Sequence, residues 1–163
     1  MTQARELATF ASGDFPAGHI IQFKHVSTTT EYLTTSTSVF TNFTALDLNI
    51  TPTQANSKLL IVLAGLVNQG TSNHITTRFE SLINNSDSMP FANHRTNTSA
   101  IVDRGDYQSL HRIYEHGQTS SFSQLTLSWR FIRYSVASAY SETSFNSDGT
   151  FDNTAHHYVM EIV

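Results

Sequence analysis

The stretch that most constrains the fold runs from Leu48 to Gly70, LNITPTQANSKLLIVLAGLVNQG, where a polar turn precedes the most apolar run of the chain. Pro52 has no backbone N–H to donate and biases Thr51 toward extended geometry, so it separates two strands. Residues 59–67 follow as a strand that is apolar on both faces. Such a strand is central, because one face needs a partner sheet and the other needs a second cover, which another subunit can supply.

The composition also favours β-structure. Charged residues make up 13% of the chain, about half of the usual share. The Glu, Lys, Arg and Ala that normally build helix surfaces are scarce, whereas Thr, Tyr, Phe, Ile and Val suit a pleated, half-buried surface. With 163 residues the chain can form one self-sufficient core, so we expect one main domain.

Period-two alternation and turn residues recur from His19 to the end of the chain. In the segment 74–84 we expect Phe79 and Ile83 to face inward and Arg78 and Glu80 to face outward. Two segments, 107–116 and 121–137, read as a strand pair joined through Gly117, and residues 84–106 as a long polar connection. The pattern predicts an all-β fold, a jelly-roll-like antiparallel β-sandwich with a short N-terminal arm.

The first eighteen residues differ from the rest. Residues 3–11 hold the only run of good helix formers, and they end in the breaker cluster 12–18. Because so short a helix is marginal in water, we interpret residues 1–18 as an attachment arm that becomes ordered on docking, with residues 19–163 as the head domain. A frayed tail is the alternative. The residues expected to make the attachment are Arg5, Glu6, Leu7 and Phe10.

Charge and motif content exclude several function classes. The formal net charge is −4 with 9 Lys and Arg residues, so the basic patch that nucleic-acid binding requires is missing. The N-terminus lacks an apolar signal-peptide core and the longest apolar run is too short to span a bilayer, so neither a signal peptide nor membrane insertion is predicted. Without cysteines there is no thiolate metal site and no disulfide.

No catalytic, cofactor or metal site is predicted. The chain has no Gly-x-Ser-x-Gly elbow, phosphate loop or dinucleotide fingerprint. His156 and His157 cannot bind one ion within a single strand, because adjacent strand residues point to opposite faces. A histidine-bound metal on a threefold axis stays open as an alternative, and a carbohydrate-active enzyme with paired carboxylates is a remote one.

Polar segments at 68–74, 84–106 and 140–154 are the candidate ligand loops. Arg104-Gly105-Asp106 spells the tripeptide that integrins read, but three-residue matches arise often by chance, and we expect a tight turn initiated by Asp103 and Gly105 instead. The residues that we expect to contact a ligand from these loops are Asn93, His94, Arg95, Arg104, Asp106 and Tyr140.

The run STTTEYLTTSTSVFTNFTALDLNITPTQANSKLLIVLAG, residues 27–65, resembles a module of bacteriophage virion proteins, mostly tail fibre or structural proteins. Ile50-Thr51-Pro52, Ser57-Lys58 and the aliphatic run 59–63 carry the resemblance. The terminal YVMEIV is similar to the last strand of that module, and RELATFAS, residues 5–12, is similar to its attachment segments. Residues 84–150 match only in strand rhythm.

This resemblance implies a non-enzymatic, homotrimeric β-sandwich on a virion surface, attached through its arm to other tail or capsid proteins. As a tail fibre or spike it would bind a host cell-surface glycan or protein, whereas as a capsid decoration protein it would stabilise the head. A strand that is apolar on both faces gains its second cover when three copies pack about an axis. The residues expected in that subunit packing are Leu59, Ile61, Leu63 and Leu66.

Overall fold

The computed structural model describes residues 18–69, 75–90, 94–96, 104–135, 143–145 and 154–163. These residues form strands and a single 3-10 turn, Thr44–Leu46, which confirms the all-β prediction. The strands are β1 Ile20–Thr28, β2 Tyr32–Thr34, β3 Thr41–Asn42, β4 Leu48–Ile50, β5 Lys58–Gln69, β6 Ile75–Ile83, β7 Asp87–Pro90, β8 His94–Thr96, β9 Arg104–Glu115, β10 Leu125–Ser135, β11 Thr143–Phe145 and β12 Ala155–Ile162.

The strands are arranged in two antiparallel sheets, as the sequence predicts for a sandwich. In sheet A, β5 pairs with β9 along one side, and along the other with β12 and, near its end, β11. The edges beyond these are β1, which pairs with β12, and β2, which pairs with β11. In sheet B, β10 lies between β6 and the short strands β3 and β4, while β7 and β8 pair with β6.

The central position predicted for the apolar strand is confirmed in β5. Leu59, Ile61 and Leu63 face sheet B and are at most 1% exposed. Leu60 and Leu66 alternate with them and lie, partly exposed, on the opposite face. Three of the four residues expected to contact neighbouring subunits are therefore enclosed in the core of their own chain, and a contact through β5 has to use the face that contains Leu66.

Aromatic rings fill the space between the sheets. Phe131 stacks on Phe43 at 4.9 Å and on Phe79 at 6.0 Å between ring centroids, and Trp129 is fully buried beside them. Aromatic pairs at such distances add to the free energy of burial. The alternation predicted for 121–137 is confirmed, because the buried side of β10 carries Leu125, Leu127, Trp129 and Phe131.

The predicted pairing of 107–116 with 121–137 is wrong. β9 lies in sheet A, in register with β5 from Lys58 opposite Glu115 to Gln69 opposite Arg104. β10 lies in sheet B against β6. The segment 116–124 therefore crosses between the sheets instead of closing a hairpin, because each strand finds a long partner elsewhere. Both strands have the same period of two, which does not specify the partner.

The described parts of the segment 84–106 contain strands where a polar connection is predicted. Asn84 and Asn85 both have positive φ, and the Ser86 N–H donates to the Ile83 carbonyl, which makes the tight turn that joins β6 to β7. β8 and the first residues of β9 follow within the same segment.

Four of the predicted ligand-loop residues consequently lie in strands. His94 and Arg95 belong to β8, and Arg104 and Asp106 belong to β9, where Asp106 is opposite Val67. The prediction of a tight turn at Gly105 is wrong, because Gly105 is paired with Asn68 in the ladder. The remaining predicted site residues, Asn93, Tyr140 and the arm residues Arg5, Glu6, Leu7 and Phe10, lie outside the described residues.

Because the two faces of β5 differ in burial, we expect Leu→Ala substitutions on them to lower the free energy of unfolding by different amounts. We expect Leu63→Ala to lower the free energy of unfolding by about 2–5 kcal/mol, because it leaves a cavity in a closed core. Leu66→Ala removes the same atoms from the partly exposed face and should cost clearly less. Denaturant unfolding of the dilute protein measures both values. Equal losses in the two variants would contradict this assignment of faces.

Candidate functional site

The outer face of sheet A is the surface that points away from sheet B, and apolar side chains make up somewhat more than half of its members. It is formed by alternate residues of β1, β12, β5 and β9, which the strand register places side by side. Phe23 is 53% and Ile113 68% exposed. We call this surface the A face, and its members are Phe23, His25, Ser27, Lys58, Leu60, Val62, Ala64, Leu66, Ser109, His111, Ile113, Glu115, His156, Tyr158, Met160 and Ile162.

Charge on the A face is balanced. Among its members only Lys58 and Glu115 are charged at neutral pH with histidine neutral, and they form an exposed ion pair of 2.8 Å. The hydrogen bond from Lys58 and its positive charge hold the pKa of Glu115 below its usual range. The face therefore presents apolar surface with no net charge, so a second copy can approach it without net repulsion.

One end of the A face carries a cluster of stacked rings. Tyr158 lies 4.6 Å from His25 and 5.7 Å from His156 between centroids, with nearly parallel planes. Phe23 extends the stack at 6.1 Å from Tyr158. Burial, and then the neighbouring His25, lower the pKa of His156. Sequence reasoning did not find this cluster, because the pairing of β1 with β12 brings its members together.

His157 points in the opposite direction from His156, as predicted for adjacent strand residues. It is fully buried and its Nδ1–H donates to the Leu46 carbonyl oxygen at 2.7 Å. Burial lowers its pKa to about 4. His157 is thus a neutral core residue at pH 7.

The outer surface of sheet B has a different character. Glu80 accepts from Arg130 Nη2 and from Arg78 Nη2, each at 2.6 Å, and Arg130 also lies over the ring of Phe40. Glu80 does face outward, yet it is only 3% exposed, so the prediction of a half-exposed strand is wrong at this position. Thr126 donates to Asn49 nearby. Several polar groups of this surface thus pair with one another, whereas Arg78 Nε is buried without a hydrogen-bond partner among the described residues.

Arg112 links the two sheets from inside the sandwich. It lies on the inner side of β9 and is 6% exposed. Its Nη1 donates to Ser81 Oγ at 3.0 Å and its Nη2 to Asp87 Oδ2 at 3.0 Å. Its guanidinium also lies 5.2 Å from the centroid of the Tyr114 ring. A buried cation is tolerated here because both of its Nη nitrogens have partners in sheet B.

A buried carboxylate joins the last strand to the turn before β5. Glu161 is fully buried in β12. Its Oε1 accepts from Ser57 Oγ at 2.6 Å and from the backbone N–H groups of Thr53 and Gln54 at 2.8 and 3.1 Å. Its Oε2 accepts from Thr53 Oγ1 at 2.9 Å. The turn around Pro52 therefore folds around a single negative charge.

The pKa of Glu161 reflects two opposed effects. Burial raises it, because a charge is costly away from water. The hydrogen bonds from Ser57, Thr53 and Gln54 lower it, and the outcome is a pKa below the usual range. The carboxylate is therefore ionised in the folded chain at neutral pH.

Ser57, His116 and Glu161 resemble a hydrolase triad in residue type only. His116 Nδ1 accepts the Gln118 N–H at 3.0 Å, so Nε2 carries the proton and donates to Ser57 Oγ at 2.9 Å. Ser57 in turn donates to Glu161. This direction is the reverse of a triad, in which the histidine takes the serine proton. A pocket of about 230 Å³ opens beside Ser57, but Ser57 itself is 2% exposed.

The described part of the chain contains no group of three or more His, Cys, Asp or Glu side chains arranged to hold a metal ion. None of its helices is long and apolar enough to cross a membrane.

Comparison with known proteins gives likenesses in structure only. No protein-family model and no curated protein matches the chain. A chain from the infectious bursal disease virus Gx strain shows a TM-score of 0.42 at 8% identity, over 87% of this chain and 37% of that one. The VP2 subviral particle of the same virus gives 0.40 at 8%, over 87% and 38%. This chain thus spans well under half of those chains, and a likeness at this level does not bear on function.

The buried carboxylate predicts an acid-sensitive fold. We expect Glu161→Gln to lower the free energy of unfolding at pH 7 by about 2–3 kcal/mol, because charge-assisted hydrogen bonds are lost. The folded-state pKa of Glu161 lies below the unfolded value of 4.5. Its contribution is therefore complete above that value and is lost as the pH falls through the folded-state pKa.

Denaturant unfolding between pH 7 and pH 3 measures both effects. The Glu161→Gln variant should lose less stability on acidification than the unaltered protein. Glu115→Gln is the matched control, because Glu115 is an exposed carboxylate whose loss should leave the unfolding midpoint nearly unchanged. An unchanged acid response in Glu161→Gln would contradict the prediction.

Proposed function

We propose that the chain is a non-enzymatic structural protein of a virus particle, and that copies of it associate through the A face. The observation that carries this proposal is the apolar, charge-balanced surface of sheet A. Isolated exposed apolar residues are common, but a contiguous patch that spans four strands is typical of a protein interface. Another copy of the chain is the occupant that we propose for it.

The contrast between the two outer surfaces supports this choice of interface. The outer surface of sheet B holds two ion pairs and a hydrogen bond that form within one chain. The A face instead offers Leu60, Val62 and Ile113 with no charge except the Lys58–Glu115 pair. A self-complementary contact needs apolar area and balanced charge, and of the two outer sheet surfaces, as far as their side chains are described, the A face offers both.

A virion role is supported by the residues that carry the resemblance to phage virion proteins. Ile50-Thr51-Pro52 leads into Thr53, which binds Glu161, and Ser57 binds the same carboxylate. Glu161 belongs to the Met-Glu-Ile ending. Sequence features that lie about one hundred residues apart thus form one hydrogen-bonded cluster. A resemblance to the phage module in all of these features together therefore supports the virion role more strongly than a match in one of them.

Within the particle we propose a homotrimeric tail fibre or spike head at the virion surface that contacts a host glycan or protein. Residues 1–18 would form the attachment arm to other virion proteins. Gly18 hydrogen-bonds to Val163, and Val163 N–H donates to the His19 carbonyl. Gly18, the last residue of the proposed arm, thus lies beside Val163 at one end of sheet A, and we propose that the arm leaves the head from this point.

A charge placed on the A face should prevent self-association. We expect Ile113→Glu to weaken association on the order of tenfold or more, because an unpaired carboxylate would be desolvated in the contact. Asn49→Glu on the outer surface of sheet B is the matched control and should associate as the unaltered protein does. Sedimentation velocity over a concentration series measures all three. A monomeric unaltered protein, or equal association in the two variants, would overturn the proposed interface.

Removal of the arm should separate folding from attachment. We expect the chain without residues 1–17 to fold and to associate with itself, but to be missing from purified particles. The measurement is the amount of the shortened chain in purified particles, relative to a capsid protein. Incorporation at the normal copy number would contradict the proposed role of the arm.

A further inference from the structure

Two histidines from different strands meet at the ring cluster on the A face. His25 of β1 lies opposite Tyr158, and His156 of β12 lies opposite Ser27, so the two histidines are diagonal neighbours on one face. His25 Nε2 is 3.1 Å from His156 Nδ1. Two nitrogens that bind one tetrahedral Zn²⁺ at about 2.0–2.1 Å are roughly 3.3 Å apart. The strands thus hold these two nitrogens close to the separation that a shared ion requires.

We propose that His25 and His156 form a binding site for a divalent transition metal such as Zn²⁺ or Cu²⁺. Imidazole nitrogen is a preferred ligand of these ions, whereas Mg²⁺ and Ca²⁺ require oxygen. The chain supplies two ligands, and water completes the coordination in the isolated protein. Both ligands come from one chain, so the site needs no second copy, and both belong to the face through which we propose that copies associate.

Metal binding requires a change of tautomer in one imidazole but no net release of a proton. In the metal-free chain one of the facing nitrogens donates its N–H to the other, since two bare nitrogens would not approach to 3.1 Å. On binding, both facing nitrogens present lone pairs to the ion. The proton that bridged them moves to the remote nitrogen of its own ring, so that His25 carries Nδ1–H and His156 carries Nε2–H. Both imidazoles stay neutral, which is the form that binds metals.

The ring cluster holds the ligands in advance. Tyr158 stacks on both imidazoles, within 14° of the plane of His25 and 20° of that of His156. This contact restricts both side chains to the same region of the face, so that little rotamer freedom remains to be lost on binding. A modest swing of each ring turns the lone pairs from each other toward a common ion.

The surroundings do not repel a cation. Ala64 is the β5 residue opposite His156, and Lys58 lies further along that strand, roughly 20 Å away. His111, the nearest histidine on β9, is engaged with Ser109 through its Nε2 at 3.0 Å. His157 points into the core and binds Leu46. The pair is thus chemically distinct from the other described histidines of sheet A.

Calorimetric titration of the untagged, metal-free protein with ZnCl₂ at pH 7.5 tests the proposal. We expect one Zn²⁺ to bind per chain. His25→Phe and His156→Phe keep the ring stacking but remove the nitrogen, and each should weaken binding by about tenfold or more. His111→Phe is the matched control on the same face and should bind as the unaltered protein does.

Thermal unfolding gives a second readout that does not depend on binding heats. Zn²⁺ should raise the midpoint of the unaltered protein and of His111→Phe, because it binds the folded chain, and should not raise that of the two pair variants. Absence of saturable binding in the unaltered protein would overturn the proposal. Unchanged Zn²⁺ affinity in both His25→Phe and His156→Phe would also overturn it.

Discussion

The burial of β5 is the constraint on which the rest of the structure depends. Its inner side, with Leu59, Ile61 and Leu63, closes the core against sheet B, while β12 and β9 pair along its two edges. The position of β5 is fixed at its start by Glu161, which holds the turn around Pro52 and Ser57. A slip of one residue would expose the inner leucines and bury the outer ones, and it would also remove this carboxylate from its donors.

The contrast between the two outer surfaces connects this fold to a function. Sheet B pairs charged groups on its outer side within one chain, as Glu80 does with Arg78 and Arg130. Sheet A leaves apolar side chains from four strands uncovered, since β5 has hydrophobic residues on both sides. A chain with few charges has little else with which to keep such a surface soluble, so association between copies is the physical solution that we propose.

The alternation of apolar and polar residues predicted where the strands of this chain lie better than it predicted which strands pair with each other. The alternation in β10 and the central place of β5 could be read from the sequence, because both depend on the period of two. The partner strand of β9 could not be predicted from the sequence. Both β5 and β10 have similar apolar faces, and the packing of the whole sheet decides which of them pairs with β9. The turn at Asn84–Asn85 had a local signal, two adjacent asparagines that tolerate positive φ. That signal was missed within a polar segment.

The sequence by itself determined an all-β chain with a two-faced apolar strand, because side-chain alternation and Pro52 act over a few residues. It also determined that His156 and His157 face opposite ways. Tertiary structure alone decided that Glu161 meets Thr53 and Ser57, and that His156 meets His25 across β1 and β12. These contacts join residues more than one hundred positions apart. Their geometry depends on strand order and register, which are set by the packing of the whole core.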